Sequence, residues 1–280
     1  MPEKETPPQR IISLTASLTE IVFALKLGHR VVGVTDSCDH PPVVRDLPNV
    51  ACWFDPDMEK LLALKPDLVL GLETAHQHVK PDLESQGIRF ILVNPLSVKG
   101  AIADIARIGK LLAAQEISKR LVSALGARLS AIDATVSKIA GESRKTACRI
   151  LDMEDGHFHV AGPLSFQYDI ISRAGGQNVT CSKNEAYPKI TLTQLREWDP
   201  QVIFNCGFDL TTLAGIVDKP EWQSLQAVRS GNVFRFDCAL TCRTGPRIVD
   251  MVELLFRTLY STEKRVQVSG VRCQQTNGVG

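Results

Sequence analysis

Apolar and polar positions follow two different periods along this chain. Short apolar runs of about four or five residues alternate with longer stretches whose apolar positions recur every three or four residues. The first pattern marks strands buried on both faces, the second amphipathic helices. The opening RIISLTASLTEIVFALKLGHRVVGVTDSCDHPP shows both. Residues 10–14 read as a strand, and an amphipathic helix follows to about Lys26, ended by Gly28. Ser17 or Thr19 is expected to cap that helix, with Glu20 three residues after Ser17 in capping-box spacing. Residues 31–34 form a second strand. Asp57 is placed to cap a helix over 58–64 that Pro66 stops, and 67–72 form a third strand. A helix to about Ser85 is broken by Gly87, and 89–93 form a fourth strand. Such alternation implies a parallel sheet with right-handed crossovers.

Residues 99–140 differ. They contain no proline, and apolar residues from Ile102 to Ile139 keep helical spacing, as one long helix or as two with a break at Gln115 and Glu116. About 25 helical residues would span nearly 40 Å, the length of a strut between lobes. Strand–helix alternation then resumes, with strands at 148–153, 157–161, 202–204 and 233–236 and helices at 166–174, 191–198 and 247–259. The expected architecture is α/β: two Rossmann-like lobes, 10–98 and 145–260, joined by a long connecting helix over 99–140, with a polar tail, 261–280, that frays. Ligands of such proteins bind in the cleft between lobes, facing loops at the carboxyl ends of the strands.

Composition narrows the function. The chain has 280 residues, 44% of them hydrophobic, and a net charge of +1 from 32 basic and 31 acidic residues. That balance gives no argument for a nucleic-acid surface or a polybasic membrane patch, and no nucleic-acid partner is expected. No segment approaches the roughly 18 apolar residues of a membrane span. The leader MPEKETPPQR lacks a signal peptide's apolar core. Two locations follow: periplasm or cell envelope if a signal was removed, cytoplasm if Met1 is the native start. None of the eight cysteines forms a CxxC; Cys148 and Cys206 sit in apolar strand patterns and read as small buried hydrophobes.

No GxSxG, P-loop, HExxH or GxGxxG occurs, so no enzyme motif is present. The candidate ligand contacts lie in or beside loops: Ser17, Ser37, Cys38, Asp39, His40, Glu73, His157, Tyr187, Phe208 and Leu240. Trp53 and Phe54 make an aromatic loop pair suited to stacking. Arg243 could hold an anionic group, or simply face solvent. His76/His78 and His157/His159 are i,i+2 pairs, which share a face if they lie on a strand. Cys238 and Cys242, in DCALTCRTGPR, could share one metal or one disulfide. If the lobes close, Cys38 could approach Cys242 and the two could hold a thiophilic metal; otherwise they are small wall residues.

Five segments together carry a family resemblance: the opening stretch, LLALKPDLVLG, AGPLSFQYDIISRAGGQNV, YPKITLTQLREWDPQVIF and GPRIVDMVELL. Over about residues 10–259 the chain resembles the substrate-binding proteins that serve ABC importers of vitamin B12, iron-siderophores and haem, the helical-backbone or class III periplasmic binding proteins. The CDHPP and CGFD segments place it near the cobalamin-binding branch. The resemblance implies a non-enzymatic monomer that needs no resident cofactor, holds a corrinoid as its small-molecule ligand and docks on an ABC permease with its ATPase. By position, Trp53, Phe158 and Arg243 match cleft residues of the B12-binding type. Ser37, Leu72 and Leu240 stand where further aromatics are usual, and Gln77 where a docking acid is. A haem-binding version would use tyrosines, here Tyr168 or Tyr187. The resemblance leaves room for an iron chelate or bare metal as ligand, and for a cytosolic corrinoid-handling protein or enzyme.

Overall fold

The apolar runs become parallel strands because helices cover both of their faces. The computed structural model describes residues 6–52, 55–207, 210–260, 267–268 and 271–273. The chain forms two compact units. The N-terminal unit comprises Met1–Pro95, Lys99–Ala127 and Thr244–Pro246. Its strands are β1 (Ile11–Ser13), β2 (Val31–Thr35), β3 (Asn49–Cys52), β4 (Asp55–Pro56), β5 (Leu68–Leu72) and β6 (Arg89–Val93), in the order β4-β3-β2-β1-β5-β6. All neighbours are parallel except β3 and β4. The chain runs outward from β1 through β2 to β4, then returns to β5 on the other side. The point of reversal, outside the carboxyl ends of β1 and β5, is where open α/β sheets receive ligands. Ile12, Leu14, Val69 and Phe90 pack with Leu61 and Leu83 in one core.

The first helix, Ala16–Ala24, is capped by Thr15, whose hydroxyl accepts from Leu18 N at 3.4 Å. This corrects the expected cap at Ser17 or Thr19. The strand ends at Ser13, so the last extended residue before the helix is Thr15, and Ser17 and Thr19 lie buried within the first turn.

The C-terminal unit comprises Leu96–Val98, Arg128–Arg243 and Arg247–Gly280. Its strands are β7 (Thr146–Glu154), β8 (His157–Val160), β9 (Gln177–Asn178), β10 (Lys189–Thr191), β11 (Val202–Asn205), β12 (Val233–Arg235), β13 (Gln267–Val268) and β14 (Val271–Cys273). A parallel centre, β7-β11-β12-β14, carries an antiparallel flank, β7-β8-β10. The β7–β8 hairpin turns at Asp155-Gly156, both at positive φ, as a two-residue turn requires. Within residues 261–280, of which 267–268 and 271–273 are described, β14 runs parallel to β12 and β13 antiparallel to β14. These short strands cover a sheet edge at β12 that would otherwise leave backbone groups unpaired.

The connector is two helices, Val98–Leu111 and Gln115–Val136. Ala113, at φ 58°, breaks them, and Gly109 lets them cross closely: a Cβ there would collide with Ser118. The second helix, roughly 33 Å long, contributes residues up to Ala127 to the first unit and from Arg128 to the second. Within the second unit it is tied down by ion pairs. Arg128 meets Asp250 at 2.6 Å and Glu253 at 2.8 Å, and Arg173 meets Asp133 at 2.7 Å.

Local signals place the remaining helices. Gly175, at φ 82°, ends the helix Phe166–Arg173 in a conformation that favours glycine. Thr191 and Gln194 form a reciprocal capping box on Leu192–Trp198. Thr191→Ala should therefore destabilise the protein by about 1 kcal/mol. Urea unfolding should show an earlier midpoint at unchanged slope, and an unmoved midpoint would contradict this.

Candidate functional site

In the N-terminal unit, hydroxyls and one thiol join the loops after β1 and β2. Thr19 Oγ1 donates to Ser13 Oγ at 2.9 Å and lies 3.2 Å from Cys38 Sγ. Cys38 Sγ is also 3.3 Å from Thr35 Oγ1, which is 2.8 Å from Ser37 Oγ. Ser17 Oγ lies 3.1 Å from Thr15 Oγ1. Ser13, Thr15, Ser17, Thr19, Thr35 and Cys38 are all buried, so these bonds hold both loops in one arrangement. Asp39 is half-buried and His40 exposed beyond this network, while Glu73 is exposed and opens the short helix Glu73–His76 after β5. His76 is fully buried and accepts from Leu72 N at 3.1 Å, a structural role. Trp53, Phe54 and Phe208 lie outside the described residues.

In the C-terminal unit, the strand-end loops gather sulfur around a buried cation. Cys206 follows β11, and Cys238 and Cys242 bracket the helical turn Cys238–Thr241 after β12. Because Cys238 and Cys242 are four residues apart on that turn, both sulfurs come to one side. Cys206 Sγ lies 3.2 Å from Cys242 Sγ, and Cys242 Sγ lies 4.0 Å from Cys238 Sγ. Cys206 is 6% exposed, whereas Cys238 and Cys242 are exposed. Arg149, from the middle of β7 and only 1% exposed, donates through Nη2 to Cys242 Sγ at 3.1 Å and to Cys206 Sγ at 3.4 Å. Among the described residues its Nε and Nη1 have no hydrogen-bond partner, and neither do the two side-chain polar atoms of fully buried Asn205.

The charges follow from this packing. Burial works against the Arg149 cation, but the sulfurs of Cys242 and Cys206 outweigh it and hold the guanidinium charged. Cys206 is pulled well below the usual thiol range by hydrogen bonds from Cys238 and Cys242, helped by Arg149. Cys238 and Cys242 are pushed up, first of all by their interaction with Cys206. The trio therefore carries one readily formed thiolate and resists a second. Tyr187, 41% exposed, sits within electrostatic reach of Arg149 and Cys242, and its hydroxyl donates to Gln167 Oε1 at 3.0 Å.

Several expected contacts change role. Phe158 is 3% exposed and packs edge-on against Trp222, ring centroids 5.4 Å apart, inside the core. Alternation along β8 turns Phe158 and Val160 inward and leaves His157 and His159 half-exposed on the other face. A ring so buried has no free face, which corrects its expected stacking role. Leu240 is likewise buried. His157 Nδ1 lies 2.9 Å from Asp155 O, and His159 Nδ1 lies 2.6 Å from Asp152 Oδ1, so each ring already has a partner. Within its own unit Cys38 has hydroxyl partners, and within the other Cys242 has two thiols and Arg149. Cys206 is buried as expected, but as part of a thiol cluster rather than as a plain apolar filler. Arg243 is half-buried in the following loop. Sequence reasoning missed Arg149, although a lone arginine inside the apolar strand ACRIL was a visible signal.

Parallel strand-end loops on two α/β units, spanned by a long helix, define a class III binding-protein fold. The chain belongs to the periplasmic binding protein family, whose model matches residues 11–239. It is a non-enzymatic substrate-binding protein of the ABC-transporter kind. It is 30% identical over 261 residues to the ABC transporter substrate-binding lipoprotein YvrC of Bacillus subtilis, covering 90% of this chain and 80% of the relative. Two solved structures are similar at 25% identity. The periplasmic vitamin B12 binding protein BtuF of Vibrio cholerae has a TM-score of 0.79, with 90% of this chain and 97% of that one covered. The periplasmic haem-binding protein RhuT of Roseiflexus sp. RS-1 has a TM-score of 0.81, with 90% and 98% covered. Among the described residues, no helix is long and apolar enough to cross a membrane.

Proposed function

We propose that this protein binds a corrinoid, cobalamin or a close analogue, in the cell envelope and delivers it to an ABC permease and its ATPase. The observation that supports this reading most is the similarity to a vitamin B12 binding protein over nine-tenths of this chain, together with the CDHPP loop after β2. The N-terminal unit offers Ser37, Asp39, His40 and Glu73 at the strand ends beside its topological reversal. The C-terminal unit offers Tyr187 and Arg243 for amide and phosphate groups, and Trp53 remains the proposed stacking platform. Loops held by buried hydrogen bonds lose little freedom on binding, which favours affinity.

A haem reading is favoured by one observation, the equal identity to the haem-binding RhuT. Tyr187 is the exposed candidate for an iron ligand. Absorbance titrations with cobalamin, cobinamide and haem separate the two. At ligand concentrations about 100-fold above Kd, binding should stabilise the protein by about 2.7 kcal/mol. Each kcal/mol should raise Tm by roughly 2–4 °C. A spectral and thermal response to haem with none to either corrinoid would overturn the corrinoid reading.

A further inference from the structure

We propose that Cys206, Cys238 and Cys242 form a three-thiolate site for one divalent thiophilic metal ion, of which Zn2+ is the type, with its fourth position open to solvent. The site is independent of the corrinoid reading.

Geometry is the first support. Zn–S bonds of about 2.3 Å in a tetrahedral site set sulfurs about 3.8 Å apart. The three sulfurs lie within 4.8 Å of one another, with closest approaches of 3.2 and 4.0 Å. Side-chain rotations that change the sulfur separations by up to about 1 Å would seat an ion. The site also has an entry path: Cys206 forms its floor, and the exposed Cys238 and Cys242 stand at the mouth.

Charge is the second. A fully buried guanidinium needs an anion, and the partners of Arg149 are sulfurs. A divalent ion and three thiolates sum to −1, and Arg149 brings the site to neutrality. A monovalent soft ion such as Cu+ would leave one negative charge uncompensated in a poorly solvated place. Binding is ligand exchange without redox change: the ion takes three Sγ lone pairs, the remaining thiol protons pass to solvent, and water fills the open position.

Position is the third. The ligands occupy the carboxyl ends of β11 and β12, where α/β sheets place functional groups. Of the other cysteines of this unit whose side chains are described, Cys148 is buried in β7 and Cys181 is exposed, and neither joins the trio.

The test is titration of fully reduced protein with Co2+, followed by Zn2+. One equivalent should bind with sulfur-to-cobalt charge-transfer absorption, and Zn2+ should displace it. Cys238→Ser and Cys242→Ser should each weaken binding by at least the roughly 10–100-fold that loss of an outer-shell partner costs. Cys38→Ser and Cys181→Ser should bind as the parent does. Cys206→Ser, at a buried position, is read only where circular dichroism shows the native fold, so the exposed pair decides the matter. Absence of the charge-transfer band, its survival in the Cys238→Ser/Cys242→Ser double variant, its loss in Cys38→Ser, or uptake of Cu+ without Zn2+ would overturn the proposal.

Discussion

Phe158→Ala should destabilise the protein by about 3–5 kcal/mol, the cost of emptying a large aromatic site in a packed core. The ring is 3% exposed and meets Trp222 edge-on at an interplanar angle of 85°. Its core cluster includes Ile190, Leu195 and Val233, which sit in regular elements and cannot collapse freely into the space. At roughly 2–4 °C per kcal/mol, Tm should fall by on the order of 10 °C. The family resemblance instead gives this position a stacking contact with ligand. The two roles leave opposite signatures. A core residue lowers Tm and leaves the affinity of the folded fraction unchanged; a stacking residue lowers affinity and leaves Tm in place. Calorimetry and ligand titration on the same variant read both, and lost affinity at full stability would restore the stacking role.

Arg149→Met should also destabilise the metal-free, reduced protein at neutral pH, by about 3–5 kcal/mol, because it removes one partner of a buried charge pair and leaves the Cys206 thiolate without its cation. The loss falls on the thiols. With Cys206 held below its unfolded value, the unfolded chain binds one more proton than the native trio at neutral pH. Native stability should therefore rise with pH, by up to about 1.4 kcal/mol per unit, until the unfolded thiols ionise near pH 8.5. Above that point it should fall, because the raised Cys238 and Cys242 keep protons the unfolded chain has lost. In Arg149→Met the rise between about pH 6 and 8 should flatten and the ultraviolet thiolate signal at neutral pH should drop. Parallel pH profiles in both proteins would show that Arg149 does not govern the thiols.

Much of the fold was legible because it rests on local chemistry. The runs beginning RIIS, DLVLG and RFILV are short and apolar, and they become β1, β5 and β6. Asp57, Thr191 and the Gly175 stop sit where capping and left-handed residues are needed. Where the reading failed, a weak local signal was completed by distant partners. The four residues of β3 and two of β4 have little pattern of their own, and β13 and β14 exist by pairing beyond β12. The connector reads in sequence as one helix or as two parted at Gln115 and Glu116; it is two, parted at Ala113, because a left-handed residue and the close crossing at Gly109 jointly permit the turn.

The candidate site divides along the same line. By itself the sequence determined the α/β class, the two-unit order, the long connector and the loops that carry polar residues after each strand. Those depend on periodicity and capping over a few residues. Only the tertiary structure decided what those loops hold. It turned Phe158 into the core, bound Cys38 to Thr19 and Thr35, and brought Cys206 to Cys238 and Cys242 over Arg149. Cys206 and Cys242 are 36 residues apart, and Arg149 lies 57 before Cys206. Neither separation has a spacing rule, because the distance is closed by the parallel pairing of β7, β11 and β12, a long-range arrangement that no local pattern encodes.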